Sequence, residues 1–120
     1  MADPDAVPAG RYARQALTSL RVWPDIEPQI IRTENVRIAQ MLVSQGEAPL
    51  GIVYKTDALA QPDLRIVATF PASSHVPITY PMALLKASVH RGAEEFRQFL
   101  LSAEAAAIFR QFGFNTAARR

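Results

Sequence analysis

The sequence predicts an α/β domain in which a mostly parallel sheet is flanked by helices. The apolar run Leu50–Val53 is short and lies between the turn residues Gly46 and Pro49 and the aromatic Tyr54. Such a run is typical of a strand buried on both faces, as in parallel sheets. Helical patterns also follow extended segments, which is typical of βα units. In such sheets ligands bind at the carboxyl ends of the strands.

Composition limits the kind of site that the chain can carry. The 120 residues suit one domain or lobe, and a net charge of +2 without a basic block makes nucleic acid an unexpected partner. The chain has no cysteine, and its two histidines lie far apart in sequence. The sequence also has no catalytic motif. We therefore expect that the protein is not an enzyme and that it binds no cofactor and no metal through protein ligands. The polar start Met1–Asp5 lacks a signal-peptide pattern, so the protein is either cytosolic or part of a longer chain.

The first predicted helix, Arg11–Leu20, is amphipathic and follows Pro8, Ala9 and Gly10. Proline is favoured in the first turn because the N–H that it lacks has no helical partner there. The N–H groups around Ala9 and Gly10 lie at the positive end of the helix dipole without intrahelical acceptors. Small residues at this point let an anion approach the backbone. An ordinary solvated helix start is the alternative.

The second predicted helix, Val36–Gln45, repeats this arrangement after a short predicted strand at Gln29–Arg32. Thr33 or Asn35 can cap its start. Gly46 suits the left-handed position after its last turn. A second helix start therefore opens directly after a strand.

Six further elements are predicted. They are a strand at Leu50–Tyr54, a helical turn at Thr56–Ala60, a strand at Leu64–Phe70, an edge or crossover segment at Ile78–Leu85, and helices at Gly92–Leu101 and Ala103–Phe112, before a polar tail at Asn115–Arg120. Ser102 caps the last helix and Gly113 ends it. The apolar stripes of the last two helices are predicted to be core, and they comprise Phe96, Phe99, Ile108, Phe109 and Phe112.

Three uncharged hydrogen-bond donors fall where ligands bind in α/β proteins. They are the backbone N–H groups at Ala9 and Val36, at two helix starts, and the hydroxyl of Tyr54, at the end of a predicted strand. Taken singly, each N–H group fits a solvated cap, and the tyrosine fits a structural side chain that hydrogen-bonds locally.

These segments together resemble the periplasmic molybdate-binding proteins of molybdate ABC transporters. The resemblance rests on D-P-D-A-V-P-A-G-R-Y-A at Asp3–Ala13, E-N-V-R at Glu34–Arg37 and G-E-A-P-L-G-I-V-Y at Gly46–Tyr54. It covers essentially the whole chain, in the right order, through Val67–Pro71, Ser74 and His75, Tyr80 and Pro81, Ser102–Glu104 and Phe112–Phe114.

The resemblance implies one lobe of a periplasmic-binding-protein type II fold that closes on a tetrahedral oxyanion, molybdate or tungstate. The matching motifs imply that Ala9, Val36 and Tyr54 donate hydrogen bonds to the oxyanion. Residues expected to support these donors are Gly10, Arg11 and Asn35. Uncharged donors suit a dehydrated dianion because they bind it without burying a counter-charge.

The resemblance also implies a division of the chain. Residues 1–80 correspond to the C-terminal ligand-binding lobe, and residues 81–120 to the crossover strand and helices that complete the other lobe. The chain is then a fragment of a periplasmic receptor whose partner is the membrane permease of a molybdate ABC transporter. Its last two helices would lack their usual sheet, so we expect a homo-oligomer, a domain-swapped dimer, or helices folded back onto the lobe.

Two alternatives from other classes stay open. The effector-sensing domain of a transcription regulator shares this lobe architecture, but a helix-turn-helix would mark it and none precedes Met1. An interaction fragment that binds no ligand is the other alternative.

Overall fold

The computed structural model describes residues 1–116, which form two compact units that divide between Ile78 and Thr79. The helices of the first unit are α1 (Pro8–Ser19), α2 (Trp23–Ile26), α3 (Val36–Ser44) and α4 (Lys55–Leu59), with 3₁₀ turns at Glu27–Gln29 and Ala72–Ser74. Those of the second unit are α5 (Gly92–Leu100) and α6 (Ala103–Gln111). The assignment of residues 1–80 and 81–120 to two lobes of one receptor stays a prediction.

The buried face of α1 forms much of the core of the first unit. Ala13, Ala16 and Leu17 recur at helical spacing and are buried, and the indole of Trp23 in α2 is 8% exposed. The 3₁₀ turn at Ala72–Ser74 also lies against α1, where the Val76 N–H donates to the Gln15 side chain at 3.0 Å. Small side chains dominate this core, which lets backbone segments approach closely.

Three helices end in the same hydrogen-bonded motif. In α3, Gly46 has φ +77°, and the Glu47 N–H donates to the Leu42 carbonyl at 2.9 Å. This is the Schellman arrangement, with glycine at the left-handed position. The end of α6 has Gly113 there, with φ +86°. The end of α1 has Arg21 there, with φ +62°, which is an uncommon conformation for a residue with a side chain.

The predicted sheet is not confirmed. Pairing between extended segments in residues 1–116 is limited to one parallel bridge, between Ala2 and Thr33. The first predicted strand, Gln29–Arg32, begins inside a 3₁₀ turn. The remaining three predicted strands form no ladder in the described chain, and they are Leu50–Tyr54, Leu64–Phe70 and Ile78–Leu85.

The interpretation of Leu50–Val53 as a strand buried on both faces is wrong for this structure. The side chain of Leu50 is 71% exposed, and Ile52, Val53 and Tyr54 are half-buried. A strand is buried on both faces only when neighbouring strands and helices cover it. The segment is extended here without such neighbours in the described chain.

The helix predictions are confirmed to within a few residues, and their caps explain why. Asn35 caps α3 by accepting a hydrogen bond from the Ile38 N–H at 3.0 Å. Ser102 caps α6 in the same way, with the Ala105 N–H at 3.2 Å. The short helix α2 is not among the predicted elements.

In the second unit, Phe114 contacts two other aromatic rings, one of them on α6. Phe114 meets Tyr80 with ring centroids 5.7 Å apart and Phe109 with centroids 6.0 Å apart. The Arg97 guanidinium holds the Glu94 carboxylate on α5 through two hydrogen bonds, of 2.6 and 2.9 Å.

The prediction that the helix stripes of the second unit form a core is wrong. All five aromatic and aliphatic side chains named above are exposed, Phe96 at 61% and Phe112 at 65%. The alternative in which these helices fold back onto the lobe stays a prediction. A homo-oligomer or a domain-swapped dimer stays a prediction. Of the predicted tail, the last four residues lie outside the described part of the chain.

Candidate functional site

A short parallel pair brings the starts of α1 and α3 to one edge of the first unit. The Thr33 N–H donates to the Met1 carbonyl at 3.1 Å, and the Asp3 N–H donates to the Thr33 carbonyl at 2.9 Å. Both segments run in the same direction, and each leads within a few residues into a helix. The positive ends of two helix dipoles therefore lie beyond the same edge, as at ligand sites of α/β folds.

The start of α1 carries Ala9 in its first turn. Val7 occupies the N-cap position without a side-chain hydrogen bond, and Pro8 has no N–H to offer. The first main-chain bond of the helix is donated by the Arg11 N–H to the Val7 carbonyl at 3.0 Å. No acceptor in the described chain meets the N–H of Ala9, and the residue itself is only 8% exposed.

Gly10 packs directly under the paired segment. A Cβ atom at this position would lie less than 3.0 Å from the carbonyl oxygens of Ala2 and Asp3. Only glycine allows this approach, because the neighbouring atoms are backbone. Gly10 therefore holds the helix start against Ala2 and Asp3, and its supporting role at the anion site stays a prediction.

The start of α3 carries Val36 at its first position. The Asn35 side chain accepts from the Ile38 N–H. The N–H groups of Val36 and Arg37, in the same first turn, have no acceptor in the described chain. The Thr33 hydroxyl donates to the Asn35 carbonyl at 2.8 Å. Asn35 is thus fixed from both sides, and it orients the helix start on which Val36 lies.

Tyr54 lies at the N-cap of α4, half-buried, with extended backbone. Its helix is tied to α3 by the Gln40 side chain, which donates to the Asp57 carbonyl at 3.0 Å. Gly51 also passes close to Val43 of α3. Tyr54 is therefore linked to the helix that begins at Val36 through α4, and not through the parallel pair.

A cluster of arginines surrounds Asp5 beside the parallel pair. Its carboxylate accepts from Arg14 at 2.8 Å and from Arg32 at 2.7 Å. Arg11 donates to the Asp5 carbonyl through Nε and one terminal nitrogen, at 3.2 and 3.0 Å. Arg11 is one of the residues expected to support the donors, and in this structure its guanidinium donates to the Asp5 carbonyl.

A surface depression of about 340 Å³ lies beside these helix starts. The residues that line it belong to the segments that precede α1 and α3, and they are Asp3, Ala6, Val7, Arg32, Thr33 and Glu34. The predicted donors Ala9, Val36 and Tyr54 are not part of this lining. The structure therefore brings the two helix starts together, whereas the depression lies just in front of them.

Two structural findings bear on other classes of site. Within residues 1–116, acidic side chains and histidines form no group of three that could hold a metal ion. No helix of this part of the chain is long and apolar enough to cross a membrane.

Known proteins with similar sequences are solute-binding proteins. The chain is 43% identical to the molybdate-binding protein ModA of Escherichia coli (strain K12) over 93% of its own length and 44% of that relative. It is 41% identical to the molybdate-binding protein ModA of Haemophilus influenzae over 94% of its length and 44% of that relative. The chain thus spans less than half the length of these curated relatives.

A solved structure is similar in fold. It is a substrate-binding domain assigned to a molybdenum ABC transporter of Clostridium difficile, and it matches 98% of this chain and 52% of its own, with a TM-score of 0.82 and 31% sequence identity. Residues 1–115 match the family described as bacterial extracellular solute-binding protein. The chain belongs to this family of bacterial extracellular solute-binding proteins.

Proposed function

We propose that the chain is the C-terminal part of a molybdate or tungstate receptor, in which residues 1–80 hold the oxyanion through uncharged donors. The N–H groups of Ala9 and Val36 and the hydroxyl of Tyr54 donate to it, and the receptor delivers the oxyanion to the permease of an ABC importer. The observation that carries the proposal is the parallel pairing at Ala2 and Thr33, which leads two helix starts with unpaired N–H groups to one edge. The molybdate-binding names of the relatives support the choice of ligand.

The chemistry of the donors suits a tetrahedral dianion. Backbone N–H groups at a helix start bind an oxyanion with the dipole in their favour and with no charged partner to desolvate. Hydrogen bonds to a charged acceptor are shorter and about twice as strong as bonds between neutral groups. Selection of molybdate and tungstate over sulfate then depends on the size of the space between the donors.

Binding by one lobe is expected to be weak, because donors on one side of an anion do not fully offset its dehydration. The test is therefore a titration of the chain into the millimolar range, followed residue by residue from backbone amide signals. Molybdate and tungstate are expected to shift the amide signals of Ala9 and Val36, and sulfate to shift them much less. Equal responses to sulfate and molybdate would contradict the proposed selectivity.

Tyr54→Phe tests the third donor. Loss of a hydrogen bond to a charged group costs about 1.5–3 kcal/mol, so molybdate affinity should fall roughly ten- to a hundredfold. Tyr80→Phe removes the same hydroxyl from the second unit and should leave the affinity unchanged. Unchanged molybdate affinity in Tyr54→Phe would show that Tyr54 is not a ligand.

A further inference from the structure

Asp5 contacts both of the segments that lead to the proposed donors. Its Oδ1 lies 2.8 Å from the terminal nitrogen of Arg14, which is on α1. Its Oδ2 lies 2.7 Å from the terminal nitrogen of Arg32, in the segment that runs into α3. One carboxylate therefore joins the helix that begins beside Ala9 to the segment that ends at Val36.

The main chain of Asp5 is fixed as well. Its N–H donates to the Asp3 carboxylate at 2.9 Å, and its carbonyl accepts the two hydrogen bonds from Arg11. Arg14 is held by a further contact, since its guanidinium lies 5.2 Å from the ring centroid of Trp23. Asp5 therefore links partners whose positions are already restricted, which reduces the entropy lost when its ion pairs form.

The charges that face Arg32 favour the same geometry. Besides Asp5, the carboxylates of Asp3 and Glu27 each lie 3.6 Å from its guanidinium. The hydrogen bond with Asp5, together with these nearby negative charges, raises the pKa of Arg32. A lone exposed ion pair contributes little to stability, but a network in which one carboxylate holds two guanidinium groups restricts the geometry of both.

We propose that Asp5 is a positioning residue of the oxyanion site. By holding Arg14 and Arg32 on its two carboxylate oxygens, it fixes the start of α1 relative to the start of α3. It thereby sets the spacing between the N–H groups of Ala9 and Val36. The role in anion binding rests on the proposed function, whereas the link between the two segments is a property of the fold alone.

The first test measures the link without any ligand, as hydrogen exchange of the two amides in the parallel pair, those of Asp3 and Thr33. In Asp5→Asn these amides should exchange roughly two- to tenfold faster, which corresponds to the loss of two exposed ion pairs. Asp63→Asn makes the same charge change at an exposed turn of the first unit and should leave both rates unchanged. Wild-type exchange rates in Asp5→Asn would overturn the proposal.

Variants of Arg32 test whether the two residues act together. Arg32→Gln should accelerate exchange of the Asp3 and Thr33 amides. If the two residues act together, the fold increase in the double variant with Asp5→Asn should be smaller than the product of the two single-variant increases. Fully independent effects would overturn the link between Asp5 and Arg32.

The second test asks whether Asp5 acts on the anion site. In Asp5→Asn, molybdate should shift the Ala9 and Val36 amides only at higher concentration than in the wild type. Asp5→Glu keeps a carboxylate and should restore part of this response, whereas an equal loss in both variants would overturn the role of the charge. If molybdate shifts neither amide in the wild-type chain, the proposed function fails. The exchange rates of the Asp3 and Thr33 amides then still test whether Asp5 links the two segments.

Discussion

Replacement of Gly10 by alanine tests the close contact that holds α1 against the start of the chain. The added Cβ would meet the carbonyl oxygens of Ala2 and Asp3 at less than 3.0 Å, and the backbone that carries them is paired with Thr33 through the Asp3 N–H. Overpacking of this kind costs about 1–3 kcal/mol, whereas alanine gains up to about 1 kcal/mol over glycine from helix propensity. We expect a net destabilisation of about 1–2 kcal/mol.

Trp23 provides the assay, because it is the single tryptophan of the chain and is buried in the first unit. Urea unfolding followed by its fluorescence should show a lower midpoint for Gly10→Ala. Gly92→Ala is the matched control, since its Cβ would meet only the movable His90 ring, at 3.3 Å, in the second unit. A Gly10→Ala midpoint equal to or above that of the wild type would refute the packing argument.

Two further predictions concern a helix end and an ion pair. Arg21→Gly should stabilise the first unit by about 0.5–1 kcal/mol, because the left-handed conformation that Gly46 adopts freely is strained for arginine. The urea midpoint followed by Trp23 fluorescence should therefore rise, and a midpoint that does not rise would contradict this. Hydrogen bonds from Arg97 and Gln98 lower the pKa of Glu94 from 4.5 to about 2, so its contribution to stability is present above pH 4.5 and is lost as the pH falls towards 2. A carboxyl titration by nuclear magnetic resonance should show this midpoint in the wild type and a higher one in Arg97→Gln, and equal midpoints would count against the ion pair.

The helices could be predicted because their signals are local. Two helix starts are marked by side-chain caps that bond within one turn, those of Asn35 and Ser102. The start of α1 is marked by Pro8, which lacks the N–H that would have no helical partner there. Gly46 marks an end in the same way. Arg21 gives no such signal, since arginine is not the residue type that the left-handed position favours.

The strand predictions depended on partners that sequence periodicity does not supply. The run Leu50–Val53 has the composition of a buried strand, but pairing and coverage on both faces require other segments. In the described residues those segments are missing around it, and Leu50 is left in solvent. An apolar run therefore predicts the tendency to extend, while the neighbours decide whether a sheet forms.

The candidate site shows the same division between local and distant signals. The helix starts at Ala9 and Val36 could be predicted from residues beside them, and the structure leads both to one edge. The role of Asp5 could not, because its partners Arg14 and Arg32 lie 9 and 27 positions away.

The pairing of Ala2 with Thr33 also has a consequence for the order of folding. It closes a loop of about 30 residues, which costs about 3 kcal/mol of chain entropy, whereas α1 and α3 need only local bonds. Pairing at this sequence separation forms more slowly than local helical turns, so the two helix starts are held side by side only once the pair has closed. The arrangement of the proposed donors therefore depends on this pair and is lost when the pair opens.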